Sequence, residues 1–205
     1  MNASPLSVGN NDMNKLYPIF LKLEEMKLLI VGGGNVALEK LNSVLSNSPQ
    51  TQIEIVAPLI CREIRKISSD RSNVRFSERK IASFDIDLAQ IIIVAVDDRT
   101  VSEWVHLQAK AKGKLINVAD APDLCDFYLG SIVNKGHLKI AISTNGKSPT
   151  MAKRLKEFFS EVLPNMDDLL GNLNSIRNKL KGNLLEKVKV LNKITSEIAH
   201  HEPTL

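Results

Sequence analysis

Short apolar runs recur along the first 120 residues, and segments with apolar positions three and four apart separate them. Leu28-Leu29-Ile30-Val31, residues 52–57, Val74-Arg75-Phe76, residues 91–96 and residues 115–119 each predict a strand. The run Ile91-Ile92-Ile93-Val94-Ala95-Val96 has no polar residue, as expected of a strand buried on both faces. Residues 36–45, 60–67 and 101–112 have helical spacing instead. Alternating strands and helices predict an α/β chain with a Rossmann-like parallel sheet. Residues 16–23 are apolar around Pro18 and suit an edge strand or an extended lead-in. After Pro122 the pattern changes. Residues 127–133 and 137–144 are strand-like and meet at Asn134-Lys135-Gly136, which predicts a hairpin, a small antiparallel extension of the kind that forms a dimer interface or a lid. Ser148 is placed to cap a helix with Pro149 in its first position, ending before Pro164. Two amphipathic segments, 166–181 and 184–199, complete a C-terminal helical domain. The expected divisions are a disordered tail over 1–15, a dinucleotide-binding domain over 16–121, a hairpin region over 122–148 and a helical domain over 149–205.

Where the first strand ends, the chain runs Gly32-Gly33-Gly34-Asn35-Val36-Ala37. Gly32-x-Gly34-x-x-Ala37 between a strand and a helix fits the dinucleotide fingerprint, with alanine in the third place. Gly32 permits a sharp turn, Gly34 lets backbone amides approach a pyrophosphate, and Ala37 lets the helix pack close to the strand. The helix N-terminus adds free N–H groups and a partial positive charge. A plain glycine turn is the alternative, and the flanking strand and helix favour the nucleotide. The second strand ends in Val56-Ala57-Pro58-Leu59, without the acidic residue that commonly bonds a ribose. No basic residue sits there for a 2′-phosphate either, so NAD is favoured over NADP.

Ligands of doubly wound sheets sit beyond the carboxyl ends of the strands. The Asp97-Asp98 pair that follows Val96 therefore belongs near the cofactor cleft; the alternative is that Asp97 or Asp98 caps the next helix, and both can hold at once. Asp120 ends the following strand and is a candidate base for a reaction that transfers hydride; the alternative is a turn-forming aspartate before Ala121-Pro122. From Gly130 to Lys156 there is no Asp or Glu, while Lys135, Lys139, Lys147, Lys153, Arg154 and Lys156 are present. With Ser143, Thr144, Ser148 and a helix N-terminus, this stretch suits anionic ligands, or else is a solvated basic face. The P-loop pattern fails, because Ala141 stands where it needs glycine.

Composition narrows the classes. With a net charge of +4, the chain suits an anionic small molecule without requiring nucleic acid. Cys61 and Cys125 make neither a zinc spacing nor a disulfide framework, and the four histidines form no metal pattern. No apolar run reaches membrane-spanning length and no signal peptide is visible, so the expectation is a cytoplasmic protein away from membranes.

The ordered set of Tyr17-Pro18-Ile19-Phe20-Leu21, the glycine turn with Lys40, Val56-Ala57-Pro58, Ala95-Val96-Asp97-Asp98, Asn117-Val118-Ala119-Asp120, Phe127 and residues 141–149 resembles the siroheme-synthase family of precorrin-2 dehydrogenases. The likeness spans residues 16–163. It implies NAD-dependent oxidation of precorrin-2 to sirohydrochlorin, with the catalytic aspartate at Asp120. It implies NAD contacts at Asn35, Val36, Pro58 and Leu59, which join Gly32, Gly33 and Gly34 of the fingerprint and Val96 and Asp97 at the end of the fourth strand as the expected cofactor site. Precorrin-2 has eight carboxylates, which assigns substrate contacts to Ser143, Thr144, Lys147, Ser148 and Arg154. A modifiable family position falls on Thr144 or Ser143. The resemblance also implies a homodimer sharing the hairpin, and no methyltransferase domain within these 205 residues. Some family members insert ferrous iron into sirohydrochlorin, and that second activity stays open here because the sequence shows no iron-ligand cluster. The chain departs from the family at Gly130, often proline, and Ser102, often asparagine; both are expected to lie away from the chemistry. The competing readings are an NAD-sensing regulatory module and a dehydrogenase of another polyanionic substrate.

Overall fold

Five strands and four helices alternate through residue 118: β1 (Lys27–Val31), α1 (Asn35–Asn47), β2 (Gln52–Ala57), α2 (Arg62–Asp70), β3 (Val74–Glu78), α3 (Ser83–Leu88), β4 (Ile91–Val94), α4 (Arg99–Ala111) and β5 (Leu115–Val118). The structure, a computed structural model, describes residues 14–199. Residues 1–13 and the His200-His201 pair lie outside the described residues. All pairings are parallel, in the order β3-β2-β1-β4-β5. The Rossmann-like sheet expected from the alternation is therefore present, with β1 at its centre.

The register sorts alternate residues onto two cores. Leu28 pairs with Ile53 and Ile91, and Ile30 with Ile55 and Ile93. These face Ala37, Leu41 and Val44 of α1 and Ile64 of α2. Leu29, Val31, Val56, Ile92, Val94, Ile116 and Val118 face the other way, against Ile86 of α3 and Val105 and Ala109 of α4. Period-two alternation places successive side chains on opposite faces, and a helix layer covers each. That is why β1 and β4 are apolar at every buried position.

Three local features decide or extend the sequence reading. Residues 14–22 pair with no strand and lead into a single 3-10 turn, Leu23–Glu25. Helix α3 was not expected, because six residues are too few for a periodic signal. Its anchor is Asp85, which is 6% exposed. The Asp85 carboxylate accepts two bonds from Arg79, at 2.7 and 2.6 Å, and one from the Ala82 N–H at 2.9 Å. Burial works to raise the Asp85 pKa, but these bonds and the Arg79 charge hold it below the usual carboxylate range. Of the Asp97-Asp98 pair, Asp98 is the helix cap: its Oδ1 accepts from the N–H groups of Thr100, at 2.9 Å, and Val101, at 3.1 Å.

Beyond the sheet lie β6 (Ser131–Lys135), β7 (Leu138–Ile142), α5 (Pro149–Val162), α6 (Asp167–Lys179) and α7 (Leu184–Ala199). β6 and β7 form the expected two-stranded hairpin, turning at Gly136-His137 with Gly136 at φ 65°. The Ser148 Oγ accepts from the Met151 N–H at 3.2 Å and caps α5, as its place before Pro149 predicts. The chain divides into two compact units. The first runs through Ser131 and includes Ser143–Ala152; the second holds Ile132–Ile142 and the chain from Lys153 onward. Within the second unit, Asp167 at the start of α6 accepts from both the backbone N–H and the ring Nδ1 of His137, each at 2.7 Å. Among the described residues, no helix is long and apolar enough to cross a membrane.

Asp85→Asn removes the charge from a buried, three-bonded carboxylate, so it should lower stability at pH 7 by about 1–3 kcal/mol. Because the folded pKa lies below the unfolded one, this contribution is complete above the unfolded value of about 3.9 and fades as the pH falls through the folded one. Urea unfolding of both proteins at neutral and acid pH should show the gap between their midpoints closing on acidification.

Candidate active site

The three glycines after β1 have different surroundings. Gly32 has φ 129°, and a Cβ there would lie 2.1 Å from the Ala95 carbonyl oxygen. Its N–H donates to the Val56 oxygen at 3.0 Å. A Cβ on Gly33 would lie 2.0 Å from the Leu59 oxygen, and the Gly33 oxygen accepts from the Cys61 N–H at 2.8 Å. Gly33 thus has a steric role that the motif spacing did not assign. Around Gly34 the space is open. Gly34 is also the N-cap of α1 and has no side chain to bond the first N–H groups of the helix. Asn35 and Val36 therefore present backbone donors and the positive end of the helix dipole beside open space, an arrangement that fits a pyrophosphate. Ala37 is fully buried where α1 meets the sheet, as the fingerprint requires. Pro58 and Leu59 are exposed, and the backbone of Leu59 lies directly over the glycine turn.

A cleft of about 230 Å³ opens beside this turn. Val36 of α1 lines it, with Ala95, Val96 and Asp97 after β4, Arg99 and Ser102 of α4, and Ala119, Asp120 and Ala121 after β5. Four expected residues, Val36, Val96, Asp97 and Asp120, are brought together here. Asp120 has φ 58°, in the left-handed region that aspartate tolerates better than most residues. The loop is tied down on both sides. The Ala119 N–H donates to the Val94 oxygen at 2.9 Å. The Cys125 Sγ accepts from the Val118 N–H at 3.2 Å and lies 3.3 Å from the Ala121 oxygen. Asn117 Nδ2 donates to the Phe127 oxygen at 2.8 Å. Burial pushes the Cys125 thiol up, in keeping with a structural sulfur. The Asp120 carboxylate itself makes no hydrogen bond or ion pair among the described residues, which leaves its lone pairs for a ligand.

Two polar cleft residues were missed by sequence reasoning. Arg99 donates from Nε to Glu103 at 2.7 Å and from Nη2 to Asp123 at 2.7 Å. Its bond to Asp123, then that to Glu103, strengthens its hold on the proton. Asp123 is held below the usual carboxylate range by the same pairing. Ser102, expected to lie away from the chemistry, lines the cleft and is 3% exposed. The signal that could have found both is their spacing of three on the first turn of the helix after β4, which puts them on one face.

The expected substrate residues are placed differently. None of Ser143, Thr144, Lys147 and Ser148 lines the cleft. They form a loop in which Asn145 has φ 53° and Gly146 φ 75°. The Ser143 Oγ accepts from Asn145 N–H and the Thr144 Oγ1 from Ser148 N–H, each at 3.2 Å. Arg154, on α5, belongs to the second unit. The stretch without acidic residues also meets an acid in space, through the bonds from His137 to Asp167. Among the described residues, no three His, Cys, Asp or Glu side chains gather as a metal site.

Gly34→Val should leave the fold intact, since its φ of −94° suits any residue and its surroundings are open. It should weaken binding of a nicotinamide dinucleotide by about 10–100-fold, the worth of one or more charge-assisted hydrogen bonds to the phosphates. Gly33→Ala should instead lower the thermal midpoint by forcing the Leu59 carbonyl away. Calorimetric titration with NAD and a melting curve for each variant distinguish the two effects.

Comparison with known proteins agrees with a dinucleotide-binding fold. Residues 19–131 match the family described as Putative NAD(P)-binding, and residues 135–159 match the family described as Sirohaem biosynthesis protein central. The siroheme synthase of Psychrobacter cryohalolentis is 35% identical over 175 residues, covering 85% of this chain and 32% of that protein. The siroheme synthase of Methylococcus capsulatus is 36% identical over 157 residues, covering 76% of this chain and 32% of that protein. The chain thus spans about a third of the length of these relatives. Among solved structures, the precorrin-2 dehydrogenase SirC superposes with a TM-score of 0.71 at 26% identity, covering 87% of this chain and 89% of that one. The chain belongs to the putative NAD(P)-binding family, with siroheme synthases and a precorrin-2 dehydrogenase among its relatives.

Proposed function

We propose that this chain oxidises precorrin-2 to sirohydrochlorin in siroheme biosynthesis, with NAD as cofactor and Asp120 as general base. The observation that carries the reading is the unpaired, left-handed Asp120 carboxylate in the same cleft as Val36 of the dinucleotide turn. Oxidation removes one hydride and one proton from the tetrapyrrole. Bound NAD supplies the hydride acceptor. The chain supplies the rest. The α1 N-terminus holds the pyrophosphate, Val36, Val96 and Asp97 border the cofactor's end of the cleft, and an Asp120 carboxylate oxygen takes the proton. Asp97 and Asp120 make that side of the cleft anionic, which favours departure of the proton. NAD is preferred to NADP because Val56-Ala57-Pro58-Leu59 places no cation at the second strand's end.

The same reading includes a cytoplasmic homodimer that shares the hairpin region, and ferrous iron as a further substrate inserted with Asp120 accepting pyrrole protons. Light scattering should then give twice the chain mass of 22.7 kDa.

The reaction is tested by mixing the protein, NAD and precorrin-2 and following NADH formation with the tetrapyrrole spectrum; no NADH from the wild type would refute it. Asp120→Asn is the cleaner variant, because asparagine tolerates the left-handed backbone whereas alanine adds strain of about 1–2 kcal/mol. Asp120→Asn should keep NAD affinity and lose about 10²–10⁴-fold in kcat, the usual worth of a general base. A loss under about tenfold would reduce Asp120 to a turn residue.

A further inference from the structure

We propose that Arg99 and Ser102 form a carboxylate-binding subsite of the cleft, in which Arg99 exchanges Asp123 for a carboxylate side chain of the tetrapyrrole. The inference rests on the function proposed above and names the residues that would orient that substrate.

Both residues stand on one face of the first turn of α4 and line the cleft that also holds Asp120. Ser102 is 3% exposed, yet its hydroxyl makes no hydrogen bond among the described residues. No buried side-chain polar atom among them lacks a partner, so the small remaining exposure of Ser102 includes its Oγ, facing the cleft. Facing the open cleft, that hydroxyl can donate to a ligand oxygen in place of water.

Arg99 supplies the charge. Its Nε donates to Glu103 and its Nη2 to Asp123, while Nη1 lies 3.5 Å from Asp123, too far for a good bond. The guanidinium has five N–H donors, so several stay available. Its pairing with Asp123 is more than half exposed on both sides, and exposed pairs of this kind contribute little. A ligand carboxylate can therefore replace Asp123 on the guanidinium, which already lines the cleft. The helix amides do not compete for the anion, because the Asp98 side chain already occupies the Thr100 and Val101 N–H groups.

The charges then orient the substrate. Asp97 and Asp120 repel carboxylates from their part of the cleft, and Arg99 with Ser102 attracts them. A polycarboxylate ring binds with an acidic arm on α4 and its reacting C–H and N–H positions toward Asp120. Only a ligand that carries both an acidic rim and a weakly acidic centre uses both walls.

Kinetics of three variants and equilibrium titration with sirohydrochlorin, followed by its absorbance, test the inference. Arg99→Gln should raise KM for precorrin-2 about 10-fold or more, the loss expected for a charge-assisted bond, and leave NAD affinity unchanged. Ser102→Ala should raise it about 3-fold or more, as for a neutral hydrogen bond. Asp123→Asn removes the internal competitor, so it should lower KM by about 2–5-fold, the worth of an exposed pair. Sirohydrochlorin affinities should follow the same order. If the wild type oxidises precorrin-2 and Arg99→Gln has its KM, the subsite is refuted and the function stands. If Arg99→Gln and Asp123→Asn raise KM alike, the pair merely clamps the loop and the subsite is refuted. If the wild type binds sirohydrochlorin without oxidising precorrin-2, the function fails, and weaker binding by Arg99→Gln supports the subsite. If it neither binds nor oxidises, both fall.

Discussion

Close approach of backbone to backbone at the carboxyl edge of the sheet is the constraint on which the rest of the molecule depends. The turn after β1 lies between the loops that follow β2 and β4, with Gly32 against the Ala95 carbonyl and Gly33 against that of Leu59. Hydrogen bonds from Gly32 to Val56, Cys61 to Gly33 and Ala95 to Val31 join the three loops. Side chains at Gly32 or Gly33 would push these loops apart. Because β1 sits where the strand order reverses, α1 and α4 pack on opposite faces and a crevice opens between their starts. The cleft follows from that packing.

Charge around the crevice is distributed by hydrogen bonding more than by residue type. Four aspartates cluster in sequence near it, yet only some are available to a ligand. Asp98 is occupied as a cap, and Asp123 holds Arg99. Asp97 and Asp120 line the cleft. Asp120 is held there by backbone and sulfur contacts on either side, so its conformation does not depend on a partner for the carboxylate. A base needs this combination of a fixed backbone and free lone pairs.

The second half of the chain shows the limit of counting charges along a sequence. The stretch from Gly130 to Lys156 has no acid of its own, but the hairpin turn meets Asp167 at the start of α6. The loop at residues 143–148 uses its hydroxyls to shape itself and to cap α5. Basic character in sequence is therefore an incomplete guide to an anion site.

The individual strands, the glycine turn, the hairpin and the C-terminal helices were legible from periodicity and punctuation, because each element is specified by residues close together in the chain. The place of Asp120 at a strand's end was legible for the same reason. Helix α3 was not, since six residues around one buried Asp85 carry too weak a pattern and their stability comes from Arg79 across a turn. The division of labour between Asp97 and Asp98 needed the direction of each side chain. The role of Gly33 needed the carbonyl of Leu59, and the place of Ser102 in the cleft needed the loop after β5. Local patterning specifies elements, whereas a site forms where elements distant in sequence converge, and only tertiary packing brings β1, β4 and β5 to one edge.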